Sequence, residues 1–405
     1  MSREEFPCYL SALVPELIEN VLLHIDSVHA LGNFILASRY VRRAFKTRKR
    51  HIIWRVLHNE IGPVLKDAAF LGLFPYADPG SSLDVRAKLD YWDEVHDKAA
   101  LYRDMLATRV EDMTIPSSAE LTQICHTLHD IDFLVKTYIA TRLPPFNGKD
   151  PATAPPSGTE RLRLFRAFYR HQIICNAWAP TRREASWHER DTCAIGNTSE
   201  HNGHRLGLYA AFETWELQQV DHANYFITQL CVALCLATDK ANQSMSEATY
   251  SEIFSHADCL VQYMREQANI TDNALRALLL PTRIRSRRAS GQIISCDEYY
   301  RRYDLICLEY AVQTHRLEIF PDPERDHHNV QQQQQDEGRA SINFAGDALN
   351  SPPYGWVDAL DGHYVNFFGQ ALVELVSPPP LPGHEDVYFE RHSFLELWRG
   401  AGFAL

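Results

Sequence analysis

The sequence predicts an all-α protein: a three-helix module near the N-terminus, followed by a helical body with long loops. Apolar residues recur at steps of three and four in most segments, which is the period of a helix face. Residue types that cap helices precede several of these segments. No leucine-rich, WD-type or kelch-type repeat period is visible, so a repeat fold is not expected.

Composition narrows the class of protein. Of the 405 residues, 45% are hydrophobic and 23% are charged, which is typical of a globular chain with a sizeable core. The net charge of −12 argues against a nucleic-acid partner, and no apolar run reaches membrane-spanning length. The first residues lack a secretory h-region, so we expect the protein in the cytoplasm, the nucleus or both. The nine cysteines form no CxxC pair and are expected to be buried small hydrophobes.

The N-terminal module is predicted for residues 10–60. Pro15 suits the first turn of its first helix, where a backbone N–H has no intrahelical partner to lose. Asp26 and Ser27 are candidate caps of a second helix, and a strongly basic third segment runs from Arg39 to Trp54. The first helix has a single apolar stripe made of Leu17, Ile18, Val21, Leu22 and Ile25. The second helix has apolar positions at Leu31, Phe34 and Ile35.

These residues resemble the F-box, and the closest likeness is to the large group of F-box proteins of filamentous fungi. The positions that carry the resemblance are Leu13, Glu16, Ile25-Asp26-Ser27, Ala37-Ser38, Phe45-Lys46 and Lys49-Arg50. The sequence departs from the family pattern at three positions. Val14 and Val28 stand where the family usually has proline, and Ala30 stands where it usually has an acidic residue that completes a capping box with Ser27.

The resemblance implies a non-catalytic subunit of a ubiquitin ligase complex. Such a protein docks on a Skp-type adaptor and, through it, on a cullin, and it recruits a protein substrate, here unknown, for ubiquitination. No cofactor is implied. The residues that would form the adaptor interface are Leu13, Pro15, Leu17, Ile18, Val21, Leu22, Ile25, Leu31, Phe34 and Ile35. Their roles in the interface and in the module's own core are not separable at this level.

Residues 61–142 are predicted to form a first helical layer, with a long helix over 81–107. Ser117 and Glu120 make a capping box for a second helix. That helix has an apolar repeat formed by Leu121, Ile124, Leu128, Ile131, Val135 and Tyr138. The repeat resembles a coiled-coil seam, but it is short and is more typical of one core-facing side in a bundle.

The rest of the chain is predicted to be helical apart from two breaks. A Pro-rich linker over 143–158 precedes a helical body over 159–320. A Gln-rich segment over 321–341 is expected to be disordered, and residues 342–405 are expected to pack back on the body as a helical segment. Within the body, helices are predicted for residues 215–238, 248–268, 271–280 and 297–317.

Two other functional interpretations remain open. The departures at Val14, Val28 and Ala30 would fit a helical interaction scaffold that keeps the F-box fold but does not bind the adaptor. Polar residues gathered over 188–204 would fit an uncharacterised enzyme, although no nucleophile with a positioned base is identifiable there and the spacing matches no familiar zinc site. Neither a catalytic residue nor a metal ligand is therefore assigned.

One regulatory motif is present. Arg287 and Arg288 precede Ala289-Ser290, and Arg-Arg-x-Ser resembles an acceptor site for basophilic kinases. A phosphate on Ser290 would add about two negative charges beside several guanidinium groups. The alternative is a solvated basic loop without regulation.

Overall fold

The structure, a computed structural model, describes residues 13–74, 85–142, 156, 158–178, 207–212, 214–240, 257–278 and 349. These residues are predominantly helical and none of them lies in a strand, which confirms the all-α prediction. No helix within these ranges is long and apolar enough to cross a membrane. The α-helices are α1 (Pro15–Leu23), α2 (Val28–Ala37), α3 (Arg39–Thr47), α4 (Lys49–Ile61), α5 (Leu65–Leu73), α6 (Val85–Ala107), α7 (Ser118–Arg142), α8 (Gly158–Trp178), α9 (Thr214–Lys240), α10 (Ala257–Glu266) and α11 (Ala268–Leu278).

The chain divides into two compact units. The first unit comprises Met1–Leu73 and Asp104–His129, and the second unit comprises Phe74–Arg103 and Asp130–Leu405. Helices α6 and α7 each contribute residues to both units. The predicted linker apart from Pro156 and Gly158, the Gln-rich segment and the predicted helix over 297–317 lie outside the described residues.

The basic third segment of the N-terminal module is two helices, not one. Helix α3 ends at Thr47, and α4 begins at Lys49 after a non-helical residue, Arg48. In the last turn of α3 the Thr47 hydroxyl donates a hydrogen bond to the Arg43 carbonyl, a local bond that competes with helix continuation. The spacing of the apolar residues does not reveal this break. Val41 and Ile52 are about three helical turns apart, so they would also lie on one face of a single continuous helix.

Helix α4 ends at a glycine for a conformational reason. Gly62 has φ 49°, a region that side chains with a Cβ rarely adopt, and its N–H donates to the His58 carbonyl. A short 3-10 turn, Gly62–Val64, contains Pro63 near its start and leads directly into α5. The first unit therefore continues beyond α4 as a chain of short, closely connected helices.

The capping box predicted before α7 is present. The Ser117 hydroxyl accepts from the Glu120 N–H at 3.3 Å, and a Glu120 carboxylate oxygen accepts from the Ser117 N–H at 2.6 Å. Hydrogen bonding to the Glu120 carboxylate by the Ser117 side chain and, to a smaller extent, by the Ser117 backbone N–H lowers the pKa of Glu120. All six residues of the predicted apolar repeat are buried: Leu121, Ile124, Leu128, Ile131, Val135 and Tyr138. The repeat is therefore one core-facing side of a helix within this chain.

In the second unit α9 packs against both α8 and α11. An aromatic cluster joins α7, α8 and α9: the rings of Tyr138, Phe168 and Phe226 contact one another edge to face, with centroids 5.0 to 6.4 Å apart. Helix α11 begins at Ala268, three residues before the predicted start at 271. Only Gln267 separates it from α10. The Thr271 hydroxyl donates to the Met264 carbonyl at 2.8 Å and thereby bonds the two helices together.

Helix α8 buries charged residues that the sequence analysis did not identify. Arg163, Arg166 and Arg170 are each at most 4% exposed. One carboxylate oxygen of Glu216, near the start of α9, lies 3.1 Å from Arg166 Nη1 and 2.8 Å from Arg170 Nη1. Arg166 also donates to the side-chain carbonyl of Gln219 at 2.9 Å. Since a desolvated guanidinium needs a nearby anion, Glu216 fixes how α8 and α9 pair.

We expect Glu216→Gln to lower the free energy of unfolding by about 3 kcal/mol or more, because it leaves two buried guanidinium groups without this anion. The matched control is Glu94→Gln, which removes an exposed carboxylate paired with Lys98 within α6 and is expected to change stability by less than about 0.5 kcal/mol. Urea denaturation followed by circular dichroism measures both. Equal effects of the two substitutions would contradict the assignment of Glu216 as a structural anion.

Candidate partner-binding surface

Helix α1 starts as its sequence predicts. Val14 is the N-cap residue and has no side-chain hydrogen bond, Pro15 occupies the first helical position, and Glu16 places a carboxylate in the first turn. Proline loses no hydrogen bond at this position, and an acidic residue there is favourable with respect to the helix dipole. The helix runs to Leu23. Local sequence alone is therefore sufficient to set the beginning of this helix.

One side of α1 forms the core of the module. Ile18 and Leu22 are buried, and with them lie residues from the other three helices, Leu31, Val41, Ile52 and Val56. Ile25, Phe34 and Ile35, three of the predicted interface residues, are partly buried and pack against this cluster. Three of the predicted interface residues, Ile18, Leu22 and Leu31, thus hold the four helices together.

A second apolar side of α1 faces solvent. We define the α1 stripe as Leu13, Val14, Leu17 and Val21, which are 37%, 54%, 49% and 46% exposed. Leu17 and Val21 are four residues apart and lie beside the buried Ile18 and Leu22, separated from them by about 100° around the helix. Pro15 is exposed as well. The predicted interface residues therefore fall into three sets: Ile18, Leu22 and Leu31 are buried, Ile25, Phe34 and Ile35 are partly buried, and Leu13, Pro15, Leu17 and Val21 are exposed.

The exposed stripe is held in place by polar side chains of α4. Asn59 Nδ2 donates to the carbonyls of Leu23 at 2.9 Å and Ile25 at 2.8 Å, which lie at the end of α1 and in the following turn. A Glu60 carboxylate oxygen accepts from the Val28 N–H at 2.8 Å, at the start of α2. Free N–H groups at a helix start attract anions, and the Glu60 carboxylate satisfies one of them.

The predicted cap of α2 is Ser27 and not Asp26. The Ser27 hydroxyl accepts from the Ala30 N–H at 3.2 Å, while Asp26 is exposed. Together with Glu60, this cap satisfies two of the free N–H groups at the start of α2. The Glu60 contact spans 32 residues of sequence and bonds the start of α2 to α4.

Two arginines of the basic segment make specific contacts. Arg48 Nη1 lies 2.6 Å from a carboxylate oxygen of Glu19 on α1. Arg50 donates from Nε to the Pro116 carbonyl at 3.0 Å and from Nη2 to the Ile115 carbonyl at 2.7 Å, just before the capping box of α7. The basic segment is therefore partly structural, since these two side chains fasten α1 and the start of α7 to α4.

A buried group in the second unit combines the residue types of a cysteine nucleophile site. Cys175 Sγ lies 3.8 Å from Nδ1 and 3.7 Å from Nε2 of His171, and His171 Nε2 donates to Asn224 Oδ1 at 3.2 Å. Nearly equal distances to both ring nitrogens show that the sulfur is not in line with either lone pair. Burial raises the pKa of the Cys175 thiol to about 12, and burial lowers the pKa of His171 to about 4. Both groups are therefore neutral at pH 7, and the cluster is core packing.

The structure describes neither of the other two candidate sites. The polar segment over 188–204, with His188, Cys193, His201 and His204, lies outside the described residues, as does Ser290. Among the residues that the structure describes, no group of three or more His, Cys, Asp or Glu side chains is arranged to hold a metal ion.

We expect Leu22→Ala to lower the free energy of unfolding of the module by about 3 kcal/mol, because it opens a cavity in a fully buried site. Leu17→Ala, the same change five residues earlier on the exposed stripe, is expected to alter stability by less than about 0.5 kcal/mol. Urea denaturation measures the effect, and hydrogen–deuterium exchange of residues 15–61 assigns it to these helices. A Leu17→Ala loss as large as that of Leu22→Ala would show that the stripe is part of a core.

We expect His171 to make the free energy of unfolding depend on pH. Above about pH 6.5 its imidazole is neutral in both states and contributes nothing. Below that pH the unfolded chain takes up a proton, while the folded chain resists protonation until about pH 4. Stability is therefore lost as the pH falls through this window, by up to about 3 kcal/mol. Urea denaturation of wild type and His171→Gln between pH 4 and 7 tests this: the variant should show a shallower dependence, and identical slopes would contradict the buried neutral imidazole.

Comparison of the chain with protein-family models, with curated proteins and with solved structures finds no match in any of the three.

Proposed function

We propose that this protein is an F-box-like substrate receptor that docks on a Skp-type adaptor through its N-terminal helices and recruits a protein for ubiquitination. The observation that carries the proposal is the exposed α1 stripe. Leu17 and Val21 face solvent on the same helix whose Ile18 and Leu22 complete the core. Contiguous exposed apolar side chains on an ordered helix are typical of a protein-binding surface.

The stripe has the properties of a preorganised contact. Its helix is fixed by the core residues Ile18 and Leu22 and by the two hydrogen bonds from Asn59, so binding does not have to order the backbone. Preorganisation lowers the entropic cost of association. The residues that resemble the F-box pattern lie on α1 to α4 and in the short segments before and between these helices.

In this role the protein would act by proximity. A receptor that binds adaptor and substrate together raises the effective concentration of the substrate near a ubiquitin-charged enzyme, and it contributes no catalytic group of its own. The adaptor would link the complex to a cullin. The substrate surface belongs to parts of the chain that the N-terminal resemblance does not cover.

The test is capture of the Skp-type adaptor of a filamentous fungus by the full chain. We expect the double substitution Leu17→Asp with Val21→Asp to weaken capture at least 100-fold, because two carboxylates would be desolvated against an apolar partner. The matched control is Leu101→Asp, an equally exposed leucine on α6, which should leave capture unchanged. Circular dichroism verifies that all variants fold.

Undiminished capture by the folded double variant would reject the α1 stripe as the interface. A wild-type chain that folds but does not capture the adaptor would instead favour the scaffold interpretation, in which the module serves another contact. That interpretation draws on the departures at Val14, Val28 and Ala30.

A further inference from the structure

Helix α3 carries a dense positive surface. We define the α3 basic face as Arg39, Arg42, Arg43 and Lys46, all of which are exposed. Their spacing of three, four and seven residues places them within an arc of about 100°. Val41, on the opposite side of the helix, is fully buried in the module core. The helix is thus divided into an apolar side that holds the fold and a cationic side that faces solvent.

The described residues do not account for this face. Within the part of the chain that the structure describes, none of its four side chains forms an ion pair with a carboxylate, in contrast to Arg48 with Glu19. Like charges three and four residues apart on a helix repel and are unfavourable for stability. Arg39 contacts the neighbouring Tyr40 ring, 5.2 Å from its guanidinium carbon to the ring centroid, but this contact neutralises no charge. A cationic cluster that costs stability and has no carboxylate partner within the described residues is best explained by a contact with another molecule.

Helix α3, which carries the basic face, packs against α1. Helices α1 and α3 share one core, through Ile18 and Val41, and Arg48 reaches Glu19 on α1 from the end of α3. Exposed apolar groups also accompany the charges: Leu36 at the end of α2 is 73% exposed and Tyr40 on α3 is 41% exposed. Arginine and tyrosine next to aliphatic side chains are the composition of a protein–protein interface.

We infer that the partner that covers the α1 stripe carries an acidic protein segment that binds along the α3 basic face and accelerates association electrostatically. This inference rests on the proposed function. The face extends about 11 Å along the helix, which matches roughly three or four residues of an extended acidic segment. Opposite charges facing each other across an interface speed the encounter of the two proteins, while apolar contacts hold the complex together.

Charge favours an acidic protein segment over a nucleic acid. Seven Lys and Arg residues and no acidic residue lie between Arg39 and Arg50. Since the whole chain has a net charge of −12 and this segment contributes +7, the remaining residues carry −19. A long polyanion would be repelled by that remainder, whereas a short acidic segment needs only the local positive surface.

The experiment measures association of the full chain with the same fungal Skp-type adaptor at 50 and 500 mM salt. For the wild type, we expect the association rate constant to fall about tenfold or more as salt rises. Arg42→Glu with Lys46→Glu should lower this rate constant at least tenfold at 50 mM salt and abolish most of its salt dependence. The matched control is Lys136→Glu with Arg276→Glu, two exposed cations outside the module with the same change in net charge, and it should stay within twofold of wild type.

The outcomes separate this inference from the proposed function. If Leu17→Asp with Val21→Asp abolishes capture while Arg42→Glu with Lys46→Glu associates like the wild type, the inference of an acidic segment is wrong and the α1 interface is supported. If the folded wild type captures no adaptor, both are overturned. A 20-base-pair DNA duplex that binds the full chain more tightly than the adaptor does, and loses binding in the Arg42 and Lys46 variant, would also overturn the inference.

Discussion

The N-terminal helices depend on the side chains that α4 directs at the backbone of the α1–α2 turn. Two carbonyls at the end of α1 receive hydrogen bonds from Asn59, and the first N–H of α2 donates to Glu60. Helix ends leave backbone groups without intrahelical partners, which side chains or water must satisfy. Because α4 satisfies them, two short helices can meet at a tight turn and place Ile18, Leu22 and Leu31 in one core. The exposed stripe of α1 is a consequence of the same arrangement.

Sequence reasoning succeeded where the determining interaction is local. The start of α1 at Pro15, the Ser27 cap and the Ser117–Glu120 capping box each depend on residues within four positions of one another. The apolar repeat of α7 was also read correctly, since a helical period reports which side of a helix is buried. The same periodicity did not distinguish Leu17 from Ile18, because both are apolar and only the position of the other helices decides which one is covered.

Contacts between residues distant in sequence were not predictable in this way. Glu60 lies 32 residues from Val28, and Arg50 lies 66 residues from Pro116. Polar side chains carry no periodic signal of a partner, so neither contact is visible before the fold is known. The buried arginines of α8 illustrate the same limit more strongly. Charged residues are rarely buried, so sequence analysis assigns them to solvent unless the carboxylate that neutralises them, here Glu216, is also known to be near.

Polar side chains of α8 also form hydrogen bonds with other segments of the second unit. Gln172 Nε2 donates to Asn176 Oδ1, Asn176 Nδ2 donates to the Phe74 carbonyl, and Gln172 Oε1 accepts from the N–H of Ala257, the first residue of α10. Hydrogen-bonded polar groups in a core tolerate few alternative arrangements, because any change of pairing leaves a buried donor or acceptor unsatisfied.

The hydrogen bonds that α4 donates to its neighbours determine which positions of the module can accept substitutions. Asn59 and Arg50 bind carbonyl oxygens, which every residue type possesses. The identities of Leu23, Ile25, Ile115 and Pro116 are therefore unconstrained by these bonds, and the sequence requirement falls on the donors alone. A fold secured through main-chain acceptors leaves the solvent-facing side chains of α1 free to vary independently of stability. The exposed side chains of α1 and the residues that hold the fold are thus separate sets, so that one can diversify while the other is maintained.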